Sequence, residues 1–101
     1  MWDTGMHIAE MEKRAALQVL VYLYKNERAT ITELRKHLKA SLSTIYTALE
    51  RLGRLNLIKQ TKGESFPFSL YYELTPLGRE VAELLARIEE LLAKARGQEA
   101  G

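Results

Sequence analysis

The sequence predicts one mainly α domain of the α+β class, and three observations lead to this prediction. Two short amphipathic stretches within about residues 30–53 are separated by a turn of about three residues, a pattern typical of two helices meeting at an angle. Two β-patterned stretches follow within about residues 56–75. A heptad-patterned stretch at about 76–96 predicts a long C-terminal helix. A chain of 101 residues has room for a single core, so we expect one domain over 1–101.

The first predicted helix covers about residues 6–26 and becomes unusually apolar toward its end. Between residues 15 and 24 the only polar side chain apart from the tyrosine hydroxyls is that of Gln18. Because apolar side chains then point almost all round the helix, it should be buried on more than one side. In so small a domain we expect one side to face the core and the other to face a partner chain.

Capping residues mark the starts of the next two helices. Thr30-Ile31-Thr32-Glu33 has the form of a capping box, in which the two polar side chains each satisfy a free backbone N–H. Ser41 is placed to cap the following helix, which should end near Gly53. Each helix then has one inward apolar stripe, formed by Ile31, Leu34 and Leu38 in the first and by Leu42, Ile45, Leu49 and Leu52 in the second.

A β-hairpin is predicted after the third helix. Residues 57–61 form its first strand, residues 62–64 the turn, and residues 69–74 its second strand. Leu70, Tyr72 and Leu74 should share one face of the second strand. Pro67 indicates an unpaired or edge segment at this end of the hairpin.

Thr75-Pro76 predicts the start of the last helix, with a capping hydroxyl followed by proline at the first helical position. We expect residues 97–101 to be frayed. The heptad seam of this helix is either a dimer interface or intramolecular core against the first helix, and we favour the dimer because the two helices carry more apolar surface than one small domain hides. The predicted interface consists of Leu17, Val21, Tyr24, Val81, Leu84, Leu85, Ile88, Leu91 and Leu92.

Positive charge is concentrated in the middle of the chain. Residues 25–64 contain nine basic and four acidic side chains, a net +5, within a chain whose total is only +2. A solvated face of mixed charge is one interpretation of this distribution. The other is a surface that contacts a polyanion such as a nucleic acid.

The order of the elements turns that second interpretation into a specific hypothesis. Two helices joined by a tight turn form a helix-turn-helix, and a hairpin that follows it forms a wing, so we predict a winged helix-turn-helix with a two-stranded wing and a long C-terminal dimerisation helix. The second helix of the pair, about residues 42–53, should lie in the major groove of double-stranded DNA. Its candidate contacts, with two wing lysines expected near the hairpin tip, are Ser41, Ser43, Thr44, Tyr46, Thr47, Arg51, Arg54, Lys59 and Lys62. The alternatives are that Tyr46 packs back onto the wing and that the two lysines protect an exposed strand against edge pairing.

Two segments resemble winged-helix transcription regulators of the multiple-antibiotic-resistance (MarR) and related PadR groups. SLSTIYTALERLGRLNLIK looks like their recognition helix running into the first wing strand, and YYELTPLGREV looks like their second wing strand and next helix. The resemblance covers about residues 13–90 and implies DNA binding through the residues named above. Regulators of these groups often sense small molecules, and Tyr22, Tyr24, Phe66, Phe68, Tyr71 and Tyr72 are candidate lining residues of an effector cleft. The alternative is that these aromatic side chains are simply part of the core. The wing, KGESFPF, departs from the family pattern because it contains no arginine.

Other functional classes have little support in the sequence. The chain has no cysteine, only His7 and His37 as histidines and only Asp3 as aspartate, so we expect no enzyme, no cofactor and no metal site. No apolar run approaches the length needed to cross a membrane, and the N-terminus lacks the order of a signal peptide. We therefore expect a cytoplasmic protein.

The sequence thus predicts a homodimeric regulator of transcription, more specifically a repressor, that binds double-stranded DNA with sequence specificity. The alternative is a protein-interaction module of the same fold that uses its apolar helices to bind another protein. The concentration of positive charge in residues 25–64 favours DNA.

Overall fold

The computed structural model describes residues 11–12, 14–66 and 68–100. Over these residues the elements follow the predicted order, with one short strand in addition. They are α1 (Ala16–Asn26), β1 (Arg28–Ala29), α2 (Ile31–Leu38), α3 (Leu42–Arg54), β2 (Ile58–Lys62), β3 (Leu70–Leu74) and α4 (Pro76–Ala100). The α+β class is confirmed.

The first predicted helix is shorter than expected at its N-terminal end. α1 begins at Ala16 because Ala15 adopts a left-handed conformation with φ 70°, which ends any continuous helix from the preceding residues. Residues 6–10 of the prediction lie outside the described residues. α1 buries one side against the core through Ala16, Val19, Leu20 and Leu23.

The start of α2 and its junction with α3 are both built as the sequence predicts. The Glu33 amide donates to Thr30 Oγ1 (3.2 Å) and the Thr30 amide donates to Glu33 Oε1 (2.9 Å), which completes the capping box. Lys39, in a left-handed conformation, ends α2, and Ser41 caps α3 by accepting from the Thr44 amide (3.2 Å). The tight turn therefore has both of its flanking helix ends satisfied locally.

The end of α3 differs from the prediction in one detail. Gly53 lies inside the helix, which continues to Arg54, and the left-handed residue of this region is Asn56, with φ 61°. Asparagine tolerates this conformation because its short polar side chain bonds locally. The chain then turns directly into Leu57 and β2.

The hairpin belongs to a three-stranded antiparallel sheet with the order β1-β3-β2. Strand β1 has only two residues, so it produces no alternating pattern in the sequence, and the prediction missed it. It pairs Arg28 with Glu73 and Ala29 with Tyr72. On the other side of β3, Ile58 lies across from Leu74 and Lys62 across from Leu70. The two-stranded wing is thus anchored at its base by a third strand.

α4 is fastened to the end of α3 at its first turn. Thr75 Oγ1 accepts from the Gly78 amide (2.9 Å) and donates to the Asn56 carbonyl (2.7 Å). Gly78 lies directly on Leu57, so that a Cβ there would be 1.8 Å from the Leu57 carbonyl oxygen. The helix continues to Ala100, a length of about 37 Å. The expectation of a frayed tail is therefore wrong as far as Ala100, and Gly101 lies outside the described residues.

The core lies between α1, α2, α3 and the sheet. Its largest fully buried side chains are Val19, Leu20, Leu23, Leu34, Ile45 and Leu52. Leu42 was predicted to point inward, but it lies in the first turn of α3 and is 40% exposed. Leu70 shares a strand face with Tyr72 and Leu74 as predicted, yet it is 49% exposed. Both lie at the far end of their element, where no neighbouring element covers them. Among the described residues, no helix is long and apolar enough to cross a membrane.

Candidate nucleic-acid interface

The outer face of α3 is a stripe of exposed polar side chains. The stripe consists of Ser43, Tyr46, Thr47, Glu50 and Arg54. Ser43 lies three and four residues before Tyr46 and Thr47, and Glu50 lies four and three residues after them, a spacing that places all of them with Arg54 on one side of a helix. Tyr46 is 50% exposed, so it stands away from the body of the protein. Arg54 Nη2 lies 3.9 Å from Glu50 Oε1, an exposed i,i+4 pair that compensates part of the charge at this end of the stripe.

Three of the predicted contact residues lie beside this stripe. Ser41 caps α3, and its hydroxyl also donates to Thr44 Oγ1 (2.9 Å), so both hydroxyl groups already have local partners. Thr44 and Arg51 are seven residues apart and share one flank of α3, where each is half-buried. The structure therefore gives these three residues positions at the edge of the exposed face, and their contact with DNA stays a prediction.

Arg14 lies next to the same face, which the sequence did not reveal. It borders a cleft of about 270 Å³ whose other walls are Ser43, Thr44 and Thr47. Arg14 is exposed, and it precedes the left-handed turn at Ala15 that redirects the chain. Since no periodic pattern links residue 14 to α3, only the tertiary structure brings this guanidinium to the N-terminal half of the helix.

The two wing lysines lie on opposite faces of the hairpin. They are three residues apart in β2, and side chains alternate along a strand. Lys62 is the last residue of β2, and its Nζ lies 5.1 Å from the centroid of the Phe68 ring. Lys59 lies across from Glu73 near the base of the hairpin, so the expectation that it lies near the tip is wrong.

A second arginine outside the predicted set reaches the wing. The Arg28 guanidinium carbon lies 4.0 Å from the centroid of the Tyr71 ring. The strand register places Arg28, Lys59, Tyr71 and Glu73 on the same face of the sheet, opposite the face that packs on the core through Tyr72 and Leu74. The hairpin contains no arginine of its own, but β1 supplies one beside it.

The aromatic side chains considered as the lining of an effector cleft lie in several separate recesses. Tyr22 lines a groove beside α4, Tyr24 lines a different recess, and Phe66 and Tyr71 border a third recess at the wing. Phe66 is 86% exposed and meets Phe68 edge-on at 6.1 Å between ring centroids. These residues therefore do not form one common cleft, and Tyr22, Tyr24 and Tyr72 pack against the core, which is the alternative that the sequence left open.

The residues predicted for a dimer interface lie on α1 and α4 and differ in their exposure, and their role in dimerisation stays a prediction. Tyr24, Val81 and Leu85 pack partly against the core of their own chain. An apolar groove of about 420 Å³ runs between the two helices, with Val21 among its lining residues. The members of the predicted set that are clearly exposed are Leu17, Leu84, Ile88, Leu91 and Leu92.

The histidines are not brought into a metal-binding arrangement in the described part of the chain. His37 stacks on Tyr22, with 5.1 Å between ring centroids. His7 lies outside the described residues. Residues 11–12, 14–66 and 68–96, whose side chains the structure describes, contain no group of three or more His, Cys, Asp or Glu side chains able to hold a metal ion.

Solved structures of transcription regulators share this fold. The adhesin competence repressor (AdcR) of Streptococcus pyogenes superposes with a TM-score of 0.77 at 22% identity, over 86% of this chain and 63% of that one. This chain thus spans less than two thirds of the length of that repressor. A regulator of the MarR family from Enterococcus faecalis superposes with a TM-score of 0.77 at 15% identity, over 96% of this chain and 88% of that one. The resemblance to MarR-type regulators is confirmed in the fold.

Sequence comparison leads to a family of DNA-binding domains and not to a family of enzymes. An uncharacterised protein of Methanocaldococcus jannaschii is 26% identical over 97 residues, which cover 93% of this chain and 79% of that protein. Residues 16–92 match the family described as winged helix DNA-binding domain, and this match includes every element from α1 to most of α4. The chain therefore belongs to the winged helix DNA-binding domain family.

Proposed function

We propose that this protein is a homodimeric transcription regulator that binds double-stranded DNA with sequence specificity and acts as a repressor in the cytoplasm. The observation that carries the proposal is the exposed polar stripe of α3, in a chain whose family is that of winged helix DNA-binding domains. An α-helix fits the major groove, where hydroxyl, phenol and guanidinium groups reach base edges. Ser43, Tyr46, Thr47 and Arg54 are the side chains we assign to this contact.

The flanking cations supply affinity in this proposal. Lys59 and Lys62 are exposed on the wing, and Arg14 lies beside the N-terminal half of α3. Contacts of lysine and arginine with phosphates release counterions and make binding depend steeply on salt. Such contacts position the protein, while the stripe of α3 distinguishes between sequences.

The exposed leucines and isoleucine of α4 support dimerisation. Leu84, Ile88, Leu91 and Leu92 are each more than half exposed in the single chain, which is costly for large apolar side chains on one helix. We assign the groove between α1 and α4 to the partner's helix and not to a small-molecule effector, because the groove continues directly into this exposed surface. A two-fold dimer would place two α3 helices about 34 Å apart, so we expect a pseudo-palindromic operator.

The simplest mechanism of repression is that the bound dimer blocks access of RNA polymerase to the DNA. A dimer on two successive major grooves covers a stretch of duplex that polymerase needs to enter. One of the solved structures with this fold is named a repressor, which agrees with this assignment.

The first test is fluorescence-anisotropy binding to random duplex DNA across a salt series, with the sedimentation mass measured on the same sample. We expect a dimer whose affinity falls steeply with salt and falls further in the double variant Lys59→Ala/Lys62→Ala. Selection from a random duplex pool should then yield a pseudo-palindrome, and Thr47→Ala should weaken binding to the selected sequence more than to random DNA.

A matched charge change separates the proposal from general electrostatics. Lys94 and Arg96 are exposed on α4, far along the chain from the wing, and Lys94→Ala/Arg96→Ala removes the same charge as the wing variant. We expect this control to bind DNA as the unmodified protein does. If the unmodified protein does not bind DNA even at low salt, the proposal is contradicted and the protein-interaction module is favoured.

A further inference from the structure

Arg28 is an exposed cation without a charged partner. The strand register places it across from Glu73, yet among the described residues no carboxylate lies within 4.0 Å of its guanidinium. Glu73 Oε2 instead accepts a hydrogen bond from Thr61 Oγ1 at 2.6 Å, and Thr61 belongs to β2, on the other side of β3 from Arg28. The charge of Arg28 is therefore not neutralised by the residue that lies nearest to it in the sheet.

Stacking on Tyr71 orients this cation. Tyr71 lies two residues nearer the wing loop than Glu73, so a guanidinium centred 4.0 Å from its ring extends along the sheet toward the loop. The flat guanidinium keeps its N–H donors at the rim when it stacks on an aromatic ring. Side-chain freedom is thereby reduced before any ligand binds, which lowers the entropic cost of binding.

The space in front of Arg28 is a polar recess. It has a volume of about 440 Å³ and is lined by the wing loop and the start of β3, namely Gly63, Glu64, Ser65, Phe66, Ser69 and Tyr71. Ser65 and Ser69 line the same recess as Arg28 and offer hydroxyl donors there. Glu64 is the one lining residue whose charge opposes an anion.

We infer that Arg28 and this recess form a binding site for a DNA backbone phosphate at the wing. Guanidinium and hydroxyl donors that converge on a recess are suited to phosphate oxygens. Although β1 is outside the hairpin, its pairing with β3 delivers to the wing the arginine that the hairpin lacks. This inference rests on the proposed function, because it names a further phosphate contact in the same DNA complex.

The main experiment compares Arg28→Gln with the unmodified protein in anisotropy titrations over a salt series, on random duplex and on the selected operator. Removing one phosphate contact should reduce the slope of log Kobs against log salt by about 0.9 for each protomer. The loss of affinity should be of similar size on both DNAs, because a phosphate carries no sequence information. Arg96→Gln, which removes the same group from the far end of α4, should leave the slope unchanged.

Two substitutions at Tyr71 test the stacking arrangement. Tyr71→Phe keeps the aromatic face and should bind DNA as the unmodified protein does, whereas Tyr71→Leu should lose part of the affinity that Arg28→Gln loses. Combining Tyr71→Leu with Arg28→Gln should cause no further loss. Glu64→Gln should tighten binding, since it removes the opposing charge from the recess. Circular dichroism and melting of every variant show that the sheet is intact.

The outcomes distinguish this inference from the proposed function. If the unmodified protein binds DNA with a steep salt dependence but Arg28→Gln keeps the same slope, the phosphate site is wrong and the proposed function stands. A loss confined to the operator, with random duplex unaffected, would also overturn the site, because it would indicate contact with bases. If the unmodified protein fails to bind DNA, the proposed function fails and the phosphate site fails with it.

Discussion

The two halves of α4 have the same heptad pattern but lie in different surroundings. In the first half, Gly78, Ala82 and Ala86 are buried at intervals of four residues, and these small side chains allow α4 to lie close to the rest of the domain. From residue 87 to residue 96 every side chain is exposed, including those of Ile88 and Leu91. The first half is therefore part of the domain core, and the second half carries apolar surface that nothing in the described part of the chain covers.

This difference shows how one helix serves two purposes. Small residues at a regular spacing mark the part that packs within the chain, since they permit close backbone approach. Large apolar residues that remain exposed mark the part available for association. Substitutions in the two halves should accordingly have different consequences, the first on folding and the second on assembly.

The largest effect is expected for Gly78→Ala in the packed half. A Cβ at this position would lie 1.8 Å from the Leu57 carbonyl oxygen, so α4 has to move away from the β2 end of the domain. We expect the free energy of unfolding to fall by about 3 kcal/mol, measured by urea denaturation. If the variant is as stable as the unmodified protein, the close approach of Gly78 to Leu57 is wrong, because a Cβ would then fit between them.

The next largest effect is expected for Leu91→Glu in the second, exposed half of α4. Placing a charge on a surface that a dimer buries should raise the dimer dissociation constant by at least about 100-fold, while the isolated protomer keeps its fold. Sedimentation velocity over a concentration series measures the change. Ala93→Glu is the matched control, because it adds the same charge two residues away on nearly the opposite side of α4. Equal effects of both variants would contradict the assigned interface.

A smaller effect is expected for Thr75, whose hydroxyl joins the first turn of α4 to the chain that follows α3. Thr75→Ala removes the cap on the Gly78 amide and the bond to the Asn56 carbonyl, both in a buried position. We expect a loss of about 1–2 kcal/mol in the free energy of unfolding. Thr47→Ala, at an exposed position within α3, should change stability by less than about 0.5 kcal/mol.

The smallest effect has the opposite sign. Gly53 lies inside α3 with no atom within 4 Å of the position of a Cβ, in contrast to Gly78. Gly53→Ala should raise the free energy of unfolding by about 0.5–1 kcal/mol, because alanine loses less backbone entropy in a helix. If thermal melting showed Gly53→Ala to be less stable than the unmodified protein, the contrast between these two glycines would be wrong.

Local signals in the sequence were sufficient for most of the fold. The capping box at Thr30 and Glu33, the cap at Ser41 and the Thr75-Pro76 start depend on residues within one helical turn of each other. The apolar stripes of α2 and α3 repeat with the helical period, and the polar stripe of α3 is the complement of one of them. These features predicted the helix-turn-helix and the start of the long last helix, while the two β-patterned stretches predicted the wing.

Features that depend on distant residues were not predictable in the same way. Strand β1 has two residues and exists only because β3 is there to pair with it, so its arginine could not be placed beside Tyr71 from the sequence. The turn at Ala15 and the resulting position of Arg14 likewise have no periodic signal. The same holds for Leu42 and Leu70, whose exposure depends on which neighbouring elements extend far enough to cover them.

What the sequence by itself determined about this protein is the order and type of its elements and the polar face of α3, because helix period, strand alternation and capping act over a few residues. The tertiary structure alone decided which half of α4 is core and which is exposed. It also decided on which face of the wing Lys59 and Lys62 lie, and which cations gather around the candidate DNA surface. The physical reason is that burial and charge proximity are set by residues far apart in the chain, whose approach no local pattern records.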